Sequence, residues 1–127
     1  MKKTFLLIIL LSSILFSQKT FNYTSERIVQ KDNSTNAVVA ESDSPVVVTF
    51  LMYDDKTGYL NFSSGAFVTL YQFNGGDGVF NWYWFALDKN KIRCNVQLNT
   101  SLEEDAGIVY INVQYSDYTF YYKLVAN

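Results

Sequence analysis

Residues 79–98 read VFNWYWFALDKNKIRCNVQL, two runs of alternating side chains joined by the polar turn DKNK. The second run is the simpler one. Ile92, Cys94, Val96 and Leu98 fall on one face, and Lys91, Arg93, Asn95 and Gln97 on the other. That period of two marks a β-strand with one wet face. The first run has no such division. In NWYWF, Asn81 to Phe85, Trp82 and Trp84 point one way and Tyr83 and Phe85 the other. Rings on both faces predict a central strand, with one face in the main core and the other against a second layer, a cavity or a partner. Tyr83 and Phe85 share a face with Val79 and Leu87, aliphatic at both ends, which assigns that face to the core. Trp82 and Trp84 then line the cavity or contact surface, with Phe80 beside them and Asp88 at the wet end.

The same alternation extends outward along the chain. Strands are expected at Phe21 to Gln30, with a break near Ser25, and at the short run Ala37 to Glu41. VVVTFLMY at 46–53, YLNF at 59–62 and AFVTLYQF at 66–73 follow, and two more strands occupy 108–115 and 118–125. Apolar residues at nearly every position of 46–53 and 118–125 place these two beside NWYWF on the second surface. NGGDG at 74–78 is the strongest hairpin signal, because glycine reaches positive φ without penalty. NTSLEEDAG at 99–107 is the longest loop of the second half, and no stretch beyond residue 17 sustains a helical period. Seven to nine short strands joined by tight turns predict an all-β antiparallel meander in a single domain, closed as a small barrel or folded as a sandwich.

Residues 1–17 have the pattern of a secretory signal peptide. Lys2 and Lys3 precede an apolar run, TFLLIILLSSILF, shorter than the about 20 residues a membrane span requires. Cleavage after Ser17 leaves residues 18–127 as the mature β domain, with no stable membrane insertion and a secreted or periplasmic location. Those residues carry 8 Lys and Arg against 12 Asp and Glu. The resulting negative charge argues against nucleic-acid and anionic-membrane partners, which reward basic surface. Cys94 is the only cysteine, so no intrachain disulfide forms, and its apolar neighbours predict a buried, inert thiol.

The chain contains no histidine, which removes histidine-based hydrolases and makes an ordinary zinc site improbable. Asp54, Asp55, Asp88, Glu103, Glu104 and Asp105 fall in loops, without the spacing of two carboxylates facing across a cleft. DDKTG and NGGDG lack the full ligand alternation of a calcium loop and read as hairpin turns. Sequons at Asn22, Asn33, Asn61 and Asn99 are read as coincidence in an Asn-, Ser- and Thr-rich chain. No metal, cofactor or catalytic set is expected.

FSQKTFNYTSERIV, FALDKNKIRCNVQL and YSDYTFYYKL resemble stretches of small exported all-β proteins of unknown function from Gram-negative bacteria. The resemblance implies an exported single domain and no active site. A lipocalin is similar in architecture only, because its Gly-x-Trp signature is missing near residue 18. The expected function is therefore non-enzymatic: binding of a small apolar ligand or a protein partner through an aromatic surface, with Trp82, Trp84, Tyr83 and Tyr121 as the site. The alternative is a structural or assembly role in which a like subunit, as in a homo-oligomer, buries the second face. A carboxylate-dependent hydrolase is third.

Overall fold

In the computed structural model, residues 18–127 are described, and the signal peptide assigned to residues 1–17 lies outside them. Nine strands follow in order: β1 Gln18–Asp32, β2 Val38–Ser42, β3 Val47–Tyr53, β4 Gly58–Phe62, β5 Phe67–Gly75, β6 Asn81–Asp88, β7 Arg93–Asn99, β8 Ile108–Gln114 and β9 Tyr118–Ala126. Each pairs antiparallel with its neighbours. Residues Tyr23 to Asp32 of β1 pair with β9, so β1 and β3 to β9 close an eight-stranded barrel. Closure is how a short-stranded meander removes its exposed edges. A four-residue helix, α1 (Glu103–Ala106), sits in the loop between β7 and β8 and ends at Gly107 in the left-handed region.

β1 serves two partners along one edge. Residues 18–24 pair with β3 and residues 28–31 with β2. The change falls beside a bulge at Glu26, where Ser25 faces Leu124 but Arg27 faces Lys123. One extra residue inverts the alternation. Tyr23 and Ser25 point inward before it, and Ile28, opposite the core-packed Tyr122, points inward after it. Ser25 secures the corner: its backbone N–H donates to the Val46 carbonyl (2.9 Å), and its hydroxyl accepts the Val46 N–H (2.8 Å). β5 repeats the device at Tyr71, so Leu70 and Phe73 both face the interior.

One dense cluster fills the barrel. Val48, Phe50, Leu60, Leu70, Trp84, Val96, Ile111 and Leu124 are among its buried members, contributed by alternate residues of successive strands as a closed sheet requires. Gly58 allows β3 and β4 to approach, because a Cβ there would overlap the Leu51 carbonyl oxygen.

The faces of β6 are the reverse of the sequence expectation. Trp84 is 1% exposed and lies in the core with Ala86, whereas Tyr83, at 40%, and Phe85 point outward. The inversion begins at Val79, which marked the core face but is not on the strand. The Asp77 carboxylate accepts the N–H groups of Val79, Phe80 and Asn81 at 2.8 to 2.9 Å, and pairing starts only at Asn81. Val79 (62% exposed) and Phe80 therefore sit in the turn. Ile92 is likewise an exposed turn residue just before β7, while Cys94, Val96 and Leu98 are buried as their alternation predicts. β3 and β9 flank β1 and neither lies beside β6, so the second surface expected to join them to NWYWF does not form.

Candidate ligand site at the barrel mouth

One end of the barrel is formed by the start of β1 and by the connections β3–β4, β5–β6 and β7–β8. Aromatic residues on the inner faces meet there. The indoles of Trp82 and Trp84 are stacked, with centroids 6.1 Å apart and planes at 8°. Phe73 stands edge-on to both, at 5.8 and 5.9 Å. Phe50 packs against Trp84 at 5.6 Å, and Phe21 against Phe50 at 6.1 Å. Cross-strand register assembles the group: Phe73 is opposite Trp84, and Phe21 is opposite Phe50.

The β3–β4 turn closes one side of this cluster. Trp84 Nε1 donates to the Lys56 carbonyl at 2.6 Å, so the deepest ring has its polar group satisfied, as buried tryptophan requires. Lys56 adopts a left-handed φ of 68°, and its Nζ lies 4.6 Å from the Phe73 centroid and 5.9 Å from that of Trp82. Both distances suit cation–π attraction.

Beside the stack lies an open cavity of about 450 Å³, walled by Phe21, Phe50, Met52, Val79, Trp82 and Leu98. Its polar groups gather at the rim. Tyr23 donates to Glu103 Oε2 at 3.2 Å, and Glu104 and Thr100 stand nearby. Burial, reinforced by the Glu103 carboxylate, holds the Tyr23 hydroxyl well above the ordinary tyrosine range. The short helix α1 therefore carries the acidic side of the rim, a part that EED at 103–105 does not reveal when read as a solvated loop.

Of the four expected site residues, the structure brings only Trp82 to this cavity. Trp84 lies beneath it as packing. Tyr83 and Tyr121 are on the barrel's outer face and line a different concavity, which Trp84 also borders and Trp82 does not. Phe21, Phe50, Met52 and Leu98 were not among the expected residues. For Leu98 a signal exists in the sequence: if DKNK closes a tight hairpin, Leu98 falls opposite Trp82 and Val96 opposite Trp84, as observed.

The acidic turns have structural work. Asp32, Asp55 and Asp77 accept turn hydrogen bonds, and those bonds lower their pKa values below the ordinary carboxylate value. Asp88 accepts from the Asn90 and Ile92 backbones and from the Tyr115 hydroxyl. Among the described residues no group of three or more Cys, Asp or Glu side chains is arranged to hold a metal ion. No helix among them is long and apolar enough to cross a membrane. Compared with protein-family models, with curated proteins and with solved structures, the chain matches none.

Proposed function

We propose that this protein is an exported, non-enzymatic barrel that binds a small apolar ligand at the mouth beside Trp82. The supporting observation is the cavity itself: apolar walls, a size in the range of small-molecule sites, and polar groups gathered at one rim. The rim also restricts the ligand. Glu103 and Glu104 repel a carboxylate, so the polar end of the ligand is neutral or cationic, and its body lies against Trp82 and Phe50.

The test is titration of the protein with N-phenyl-1-naphthylamine, a neutral apolar fluorophore, alongside native mass spectrometry for a co-purifying molecule. The dye is expected to brighten on binding and to quench tryptophan emission. Trp82→Ala and Leu98→Glu should each weaken binding at least tenfold, and Tyr83→Ala should leave it unchanged. Dye binding indifferent to both mouth substitutions would overturn the assignment.

One observation favours an assembly role as the second reading. Among the described residues β2 is hydrogen-bonded to β1 alone, and its Val38 and Val39 are half exposed, an open edge on which a like subunit can add strands. Sedimentation equilibrium separates the two: a dimer dispersed by Val39→Lys supports assembly, and a monomer at all concentrations rejects it.

A further inference from the structure

A second concavity, of about 490 Å³, lies outside the barrel and is independent of the mouth. Its floor is a row that crosses four strands in register: Tyr83 of β6 opposite Gln97 of β7, Gln97 opposite Asn112 of β8, and Asn112 opposite Tyr121 of β9. The next row runs Phe85, Asn95, Gln114, Thr119. Asn36 from the β1–β2 turn borders the concavity on one side and Asn74 from the β5 bulge on the other. Seven of the thirteen lining residues are carboxamides, three are outward aromatics, and none carries a formal charge.

Sheet formation does not account for this composition. Asn is disfavoured in strands, where β-branched residues stabilise a solvated face, yet β7 and β8 set Asn95, Gln97, Asn112 and Gln114 side by side. The neighbouring outer groove, across Tyr121, has the usual mixed charges, with Arg27, Lys31, Glu41 and Lys123. Lys31 lies over the Tyr121 ring at 5.3 Å from within that second groove. The neutrality of the first groove is thus local and not a property of the whole surface.

We propose that this groove binds a neutral oligosaccharide. A carboxamide presents a donor and an acceptor on adjacent atoms, which matches sugar hydroxyls that both give and accept hydrogen bonds. Aromatic rings take the C–H face of a pyranose, and Tyr83 and Tyr121 stand at the two ends of the row. Three interstrand steps separate them, ~14 Å, a span suited to a short oligosaccharide rather than one sugar. The Gln97 Nε2 to Tyr83 hydroxyl hydrogen bond, 3.1 Å, fixes the first ring against the sheet. Absence of a cation from the lining, on a chain with pI near 4.9, disfavours acidic glycans.

Calorimetric titration of the full β domain with neutral tetrasaccharides of gluco, manno, galacto and N-acetylglucosamine type tests the proposal, with tetragalacturonate as the acidic control. At least one neutral probe should bind, and Tyr83→Ala and Asn112→Ala should each weaken it tenfold or more. Neither variant should change the thermal midpoint or the response to N-phenyl-1-naphthylamine, which separates this site from the mouth. Where Tyr83→Ala does not fold, Asn112→Asp replaces it, because an added charge spoils neutral recognition without removing packing. The proposal is overturned by failure of all neutral probes, by tighter binding of tetragalacturonate, or by binding lost in Trp82→Ala and retained in the groove variants. A surface that instead takes only peptides gives the first of these results.

Discussion

Trp84 shows how one side chain sets the character of this barrel. Its indole is enclosed, stacked on Trp82, touched by Phe50 and Phe73, and hydrogen-bonded to the Lys56 carbonyl. Truncation removes a large buried surface and leaves that carbonyl without its donor. Trp84→Ala is therefore expected to cost about 3 to 5 kcal/mol, the range for buried aromatic residues. Phe85, one residue later, faces outward and is only half buried, so Phe85→Ala should cost about 1 kcal/mol, near the centre of the distribution for point substitutions. Urea denaturation of the two variants checks the order. A larger loss for Phe85→Ala would mean that the outward face of β6 carries the stability.

At the scale of elements, the strands were largely legible and their faces less so. Every expected strand is present, although β6 and β7 begin at Asn81 and Arg93 rather than at Val79 and Ile92; of NGGDG, Asn74 and Gly75 end β5 and the rest opens the turn, with positive φ at Gly75, Gly76 and Gly78. Where a single extra residue shifts the alternation, periodicity is blind: the bulge at Glu26 shows in the sequence only as a break near Ser25, and the one at Tyr71 leaves no mark. In β6 the difficulty was different, since NWYWF is apolar on both faces and its own pattern cannot choose. The choice lay in its neighbour. Residues directly opposite in an antiparallel pair share a face, and Cys94, Val96 and Leu98 opposite Ala86, Trp84 and Trp82 settle it. Beyond the Trp82–Leu98 pair the mouth was illegible, because it joins the β1–β3 pair to the β6–β7 hairpin, which closure alone brings together. Backbone proximity within elements has its own test at Gly58. Because a Cβ there meets the Leu51 carbonyl, Gly58→Ala must separate β3 from β4. At Gly65, with φ of 100° and open space around it, alanine brings only backbone strain, about 1 to 2 kcal/mol. Gly58→Ala should thus lower the thermal midpoint further than Gly65→Ala, and equal shifts would show that β3 and β4 adjust at little cost.

The whole molecule has no disulfide to limit unfolding, so its stability follows the ionisation of groups the closed barrel buries. Burial, helped by Asp88, pushes the Cys94 thiol from 9.0 up to about 11, and burial pushes Tyr122 from 10.0 up to about 12. Tyr23 and Tyr115 are raised as well, chiefly by burial. All four groups are neutral when protonated, and the folded state favours that form. Below pH 9 they are protonated both folded and unfolded, and their contribution is fully present. As pH rises past 9, the unfolded chain releases protons that the folded barrel retains, so the contribution declines until the folded values are passed. The capping carboxylates behave in the opposite sense: Asp32, Asp55 and Asp77 are lowered from 3.8 by the bonds they accept, and what they add is lost as pH falls through their folded values. The thermal midpoint should therefore form a plateau from about pH 5 to about pH 8 and fall steeply on the alkaline side. Cys94 is the first of the buried groups to titrate in the unfolded chain. Cys94→Ala should accordingly move the alkaline onset from near pH 9 toward pH 10, although the smaller side chain lowers the plateau itself by about 1 kcal/mol. Calorimetric scans of both proteins across pH 5 to 11 decide it: an onset unmoved in Cys94→Ala would mean that the tyrosines alone govern alkaline unfolding.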